Sequence, residues 1–111
     1  MLEIQDGVIL LTRGDSADIA VEITNSATGE DYTMSETDKL IFTVRKYPYK
    51  EAAVLIEKTL TGSNIFHLKP ADTAALKYGT YKYDVELRSG DDVYTVVPCS
   101  ELVLEREVTM A

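Results

Sequence analysis

The stretch Leu76-Lys77-Tyr78-Gly79-Thr80-Tyr81-Lys82-Tyr83-Asp84-Val85-Glu86-Leu87-Arg88 decides how the chain is read. From Thr80 the residues alternate without a break. Tyr81, Tyr83, Val85 and Leu87 fall on one side; Lys82, Asp84, Glu86 and Arg88 fall on the other. Successive side chains of a strand point to opposite faces, so the pattern is that of a half-buried strand. Its approach is equally legible. Pro70 opens a short helical turn, Asp72 and Thr73 suit the first turn, and Gly79 ends it. A chain that crosses over through one small turn and then enters a central strand follows the grammar of a β-sandwich. That identifies an architecture rather than an activity.

Strand signals continue in both directions. Glu3 to Gln5 is a short extended piece, Asp6-Gly7 a turn, and Val8 to Thr12 a strongly apolar strand. Arg13-Gly14-Asp15-Ser16 turns the chain into Asp18 to Thr24, where Ile19, Val21 and Ile23 point inward. Asn25 to Asp38 is a polar loop with an extended piece at Tyr32. Lys39 to Lys46 is a strand with Leu40, Phe42 and Val44 on one face, broken by Tyr47-Pro48-Tyr49-Lys50. Ala53 to Leu60 and Asn64 to Leu68 are strands joined by Thr61-Gly62-Ser63. Ser89-Gly90-Asp91-Asp92 turns into Val93 to Val97; Pro98 interrupts, and Leu102 to Val108 is the last strand. Nowhere does apolar spacing hold a helical period over three turns. Seven to eight strands, with no repeat and no linker, predict one all-β domain over residues 1–111.

Composition narrows the function classes. The chain has 111 residues, enough to bury roughly 65% of its unfolded surface without staples. Eleven Lys and Arg against nineteen Asp and Glu leave a net charge of −8. Phosphate contacts need cations, so this balance opposes nucleic-acid and anionic-membrane partners. Cys99 is the one cysteine and there is no Trp, so the Cys…Trp…Cys pattern of antibody domains is absent; Cys99 reads as a small, part-buried residue. The first residues lack the basic and apolar regions of a signal peptide, and no apolar run approaches the ~20 residues that span a bilayer. The expected site of synthesis and residence is the cytoplasm.

No residue set carries an obvious reaction. Arg13-Gly14-Asp15 contains the tripeptide that integrins bind, but glycine and aspartate are also what a tight turn between strands needs. His67 is the only imidazole and has no zinc-spaced partners; it reads as the exposed face of an edge strand. The carboxylates at Glu30-Asp31, Glu36 with Asp38, Asp91-Asp92, and Glu105 with Glu107 lack a calcium-loop series and read as solvated loops and an outward strand face. Neither a Ser–His–Asp set nor a phosphate-binding glycine loop is present, so no enzyme, cofactor or metal is expected; a small hydrolase would need carboxylates converging in a cleft. Seven tyrosines are many for this length. Tyr81 and Tyr83 belong to the core face. Tyr32, Tyr47 and Tyr49 are the candidate interaction surface, because tyrosine joins apolar area to a hydroxyl.

Taken in order, several pieces resemble a known family. They are Val8-Ile9-Leu10-Leu11-Thr12-Arg13-Gly14-Asp15-Ser16 with Ile19 to Ile23, then Asp38-Lys39-Leu40-Ile41-Phe42-Thr43-Val44-Arg45. Leu68-Lys69-Pro70-Ala71-Asp72-Thr73-Ala74-Ala75-Leu76 follows, leading into Gly79 to Leu87. The chain resembles the small immunoglobulin-like domain at the N-terminus of phage baseplate upper proteins, and the short prophage structural proteins of Gram-positive bacteria. The resemblance implies an immunoglobulin-like β-sandwich of seven to eight antiparallel strands with one short helical crossover. It implies a virion structural component, assembled in the bacterial host's cytoplasm, whose partners are other tail and baseplate proteins; separately, edge strands could pair between copies of the chain. Baseplate upper proteins continue into a long region that carries or contacts the receptor-binding part. This sequence ends at Ala111, from which a small adaptor or decoration role is expected. In such a sandwich Tyr81 is placed to act as a tyrosine corner, following a crossover and a glycine and opening a late strand. The alternative function is a carbohydrate- or cell-surface-binding module using Tyr47 and Tyr49.

Overall fold

The computed structural model describes residues 2–5, 7–24 and 29–108, with only the backbone described for 2–5. In chain order its elements are β1 (Leu2–Gln5), β2 (Val8–Thr12), β3 (Ala17–Ala20), β4 (Lys39–Arg45), β5 (Val54–Thr61), β6 (Ile65–Leu68), α1 (Pro70–Ala74), β7 (Gly79–Ser89) and β8 (Asp92–Glu105). They form a six-stranded sheet ordered β1-β2-β8-β7-β4-β5 and a two-stranded sheet of β3 with β6. Asp6, the Asn25-Ser26 turn and Thr28 lie outside the described residues.

An all-antiparallel arrangement is not what forms. β2 and β8 run parallel, from Ile9↔Leu102 to Thr12↔Glu105, while the other neighbours pair antiparallel. The cause is the path of the chain. It leaves β2 through the Arg13-Gly14 turn for the two-stranded sheet, and reaches the flank of β2 again only at β8, travelling in the same direction. A parallel pair needs such a long crossover, and here nearly the whole chain supplies it.

The alternation anticipated for β7 is realised: Tyr81, Tyr83, Val85 and Leu87 are buried, and Lys82, Asp84 and Glu86 face the other way. Their inward faces meet Leu40, Phe42 and Val44 of β4, Ile9 and Leu11 of β2, and Leu102 and Leu104 of β8. Ile19 of β3 with Phe66 and Leu68 of β6 close the core from the second sheet. Phe42 stands at the junction, its ring 5.5 Å from Phe66 across the layers and 5.4 Å from Tyr83 beside it. Tilted aromatic contacts at this spacing are favourable beyond the area they bury.

Several local expectations change; the strands expected to reach Thr24 and Val108 end at Ala20 and Glu105. The helical turn stops at Ala75, so Gly79 is not its terminator; Gly79 instead begins β7 at φ 137°, in the region that favours glycine, with Lys46 Nζ close to where a side chain would stand. Pro98 does not divide the last strand. β8 runs through it because the pairing to β7 slips between Val97 and Ser100, leaving Pro98 and Cys99 without β7 partners, where a missing N–H does no harm. The same slip leaves Cys99 exposed rather than part-buried.

The Tyr81 hydroxyl donates to the Lys77 carbonyl at 2.7 Å, four residues upstream, while its ring is buried. Lys46 Nζ lies 4.7 Å from that ring and donates to the Thr80 carbonyl. Tyr81 thus fixes the angle at which the crossover enters β7. Tyr81→Phe leaves the Lys77 carbonyl unpaired and should cost about 1 kcal/mol in urea unfolding; an unchanged midpoint and slope would remove this role.

Candidate functional site

The Arg13-Gly14-Asp15 turn is committed to the fold. The Arg13 guanidinium donates to Glu107 Oε1 at 2.9 Å and Oε2 at 3.3 Å, and to the Leu76 carbonyl at 3.1 Å. It lies 4.4 Å from the centre of the Tyr78 ring, whose hydroxyl donates to Glu107, and Arg106 covers the same ring at 4.7 Å. The Gly14 amide donates to the buried Thr73 hydroxyl at 2.8 Å. An arginine so engaged is a fastening and not a recognition tip. The Arg13 hydrogen bond holds the Glu107 carboxyl below its ordinary value, with help from Tyr78. Glu107 therefore departs from the solvated role its sequence context suggests.

Tyr47 and Tyr49 are brought together. They sit on the β4–β5 hairpin, their ring centres 6.5 Å apart and stacked, 57% and 62% exposed. Pro48 between them prevents the strand from continuing and spaces the rings. Arg45 sets the loop's shape by donating to the Lys50 and Ala52 carbonyls. Between the loop and the sheet lies a shallow cavity of about 280 Å³, lined in part by Arg45, Tyr49, Lys50, Lys82, Asp84 and Cys99. Burial raises the Asp84 carboxyl above its ordinary value, Glu86 adds to this, and Arg45 opposes it. The site combines an aromatic wall, three cations and one carboxylate, a set suited to polar or anionic contact.

Tyr32 is not part of that surface. It follows Ile23 through a Tyr32 N–H to Ile23 carbonyl bond and packs, half-buried, near Leu87 and Tyr94 at the far end of β7. Its hydroxyl donates to Asp38 at 2.5 Å. Asp38 is buried, also accepts from the Ser35 amide at 3.1 Å, and its carbonyl receives the Gly62 N–H. The Tyr32 hydroxyl above all, then Ser35 and Ser89, bring the Asp38 carboxyl down to about 2. Tyr32 and Asp38 tie the long loop down, and Asp38 is buried where the sequence suggests a solvated acid. The signal that could have marked them is the Ser35-to-Asp38 spacing, which lets a side-chain oxygen accept a nearby amide.

Sequence reasoning passes over Val93 and Tyr94, which are 58% and 53% exposed just beyond the β7–β8 turn. Two apolar residues opening a strand after Gly90-Asp91-Asp92 are the available signal, since a hairpin tip overhangs its sheet. His67 pairs with Asp18 across β3 and β6, Nδ1 to Oδ1 2.5 Å, on the exposed side of that pair. Among the described residues, no group of three or more His, Cys, Asp or Glu converges to hold a metal, and no helix is long and apolar enough to cross a membrane.

Asp38 and Glu107 make stability depend on acid. Each has a folded pKa below its unfolded one, so its contribution is complete above the unfolded value and lost as pH falls through the folded value. Thermal midpoints should therefore drop between about pH 5 and about pH 2. Asp38→Asn should be less stable than the parent at neutral pH, with the gap narrowing towards pH 2; a gap that stays constant would sink the assignment. Set against protein-family models, curated proteins and solved structures, the chain matches none.

Proposed function

We propose that the protein is a non-enzymatic structural component of a phage or prophage virion, an immunoglobulin-like β-sandwich that works in the tail or baseplate through protein–protein assembly. The observation that carries the assembly part is the outer strand of the six-stranded sheet. Among the described residues β5 pairs only with β4, and its opening residues Val54 and Leu55 are exposed beside the Tyr47–Tyr49 hairpin. An open strand edge with apolar and aromatic neighbours offers backbone hydrogen bonds and contact area together, the chemistry of strand addition by a partner. The tail setting rests on the resemblance of the Arg13-to-Ile23, Asp38-to-Arg45 and Leu68-to-Leu87 segments. The stacked sheets and the Tyr81–Lys77 bond support the immunoglobulin-like reading.

A second reading, carbohydrate or cell-surface binding, is favoured by one feature, the exposed Tyr47–Tyr49 stack, whose Tyr49 borders a cavity that also carries charged groups. A glycan array probed with the purified chain tests it, and silence across the array disposes of it.

The assembly reading has a direct test. Particles released from cells carrying the gene, purified by density gradient and analysed by mass spectrometry, should contain this chain in fixed ratio to tail proteins. Leu55→Lys places a charge on the open edge and should reduce incorporation strongly while leaving the thermal midpoint near that of the parent. A chain found only in the soluble fraction overturns the proposal.

A further inference from the structure

We infer that copies of this chain join head to tail, the acidic β7–β8 hairpin tip of one copy entering the cationic cavity beneath the β4–β5 hairpin of the next. The two ends differ in charge. In a molecule of net charge −8, the cavity gathers Arg45, Lys50 and Lys82 against Asp84 alone among its lining residues. Arg45 is partly committed to the Lys50 and Ala52 carbonyls, and Lys82 lies 3.5 Å from Glu101, so Lys50 is the cation most available to a newcomer. The opposite tip presents exposed Asp91 and Asp92, followed by exposed Val93 and Tyr94. Each end therefore offers a charged group with an aromatic beside it, the signs opposite: Asp91–Asp92 with Tyr94, and Lys50–Lys82 with Tyr49.

The contact cannot close within one molecule. From Lys82 to Ser89 β7 makes seven steps of about 3.4 Å each, which puts the tip roughly 24 Å from the cavity. A second copy is the occupant that brings both halves with it. Because donor and acceptor are different surfaces, each copy uses both, and the assembly is a ring or an open chain according to the rotation between neighbours. This rests on the proposed assembly role only in taking the partner to be protein.

Sedimentation of the whole chain at about 0.15 M salt tests it, since screening there suppresses repulsion between distant charges but spares contact pairs. The average mass should rise with concentration. Lys50→Ser with Lys82→Ser, and separately Asp91→Ser with Asp92→Ser, should each stay monomeric with unchanged circular dichroism. An equal mixture of the two should form one-to-one pairs and nothing larger, because only one intact tip and one intact cavity remain to meet. Labelling of Cys99, which lines the cavity, should slow as the parent chain associates. Asp84→Asn should tighten association, and Leu55→Lys should leave it unchanged, so this contact and the β5 edge can fail separately. A parent chain that remains monomeric to about millimolar concentration, or association that survives in both double variants, overturns the inference.

Discussion

The Arg13 guanidinium holds together three segments that are remote in sequence. Its planar fork meets both oxygens of Glu107 while another nitrogen reaches the Leu76 carbonyl and its face lies on Tyr78. Lysine, with a single point charge, could not make this set of contacts. Exposed ion pairs contribute little on their own, but this one is largely shielded and combined with backbone bonds and a ring. Beside it the Arg13 amide donates to Glu105 and the Gly14 amide to Thr73. The passage between the sheets, the helical crossover and the segment beyond β8 thus meet at one point.

From that point β7 acts as a beam. Its inward residues carry the core and its outward residues help shape one end surface. Asp72 fastens the crossover again, accepting from the Lys69 amide at 2.7 Å and pairing with Lys58 on β5 at 2.9 Å. Rigid support of this kind leaves the hairpins as the parts free to differ. Tyr47 and Tyr49 overhang at one end, Val93 and Tyr94 at the other, and neither pair contributes to the buried core. The aromatic residues that look alike in composition therefore divide by position: Tyr81 and Tyr83 carry load, Tyr78 and Tyr32 fasten, and Tyr47, Tyr49 and Tyr94 face outward.

Much of the fold was legible because a strand's two-residue period is local. The buried faces of β4 and β7 and the short helix at Pro70 could be read directly. Strand partners could not, since alternation is the same in parallel and antiparallel pairs; hence β2 beside β8 was missed. Pro98 looked like a break because its lost donor matters only where a neighbouring strand needs it, and here the pairing slips past. Of the three tyrosines that the sequence marks as a candidate surface, Tyr47 and Tyr49 are exposed together, whereas Tyr32 is half-buried and bonded to Asp38 at the other end of β7. The Arg13 fastening was legible only as a turn, because Glu107 lies 94 residues away and nothing local announces it.

The parallel pairing of β2 with β8 also has a temporal side. β2 pairs locally with β1 on one side, but on its other side Ile9 to Thr12 meet Leu102 to Glu105, so that side closes through a loop of most of the chain. Closing so long a loop is entropically unfavourable and slows folding relative to local pairing. During synthesis Val8–Thr12 emerges well before Leu102–Glu105 and must wait for the segments between them before its parallel neighbour exists. The β1–β2, β4–β5 and β7–β8 hairpins can form early, while the far side of β2 stays open to wrong partners until β8 arrives. The order of manufacture thus sets which surface is most in need of protection in the nascent chain.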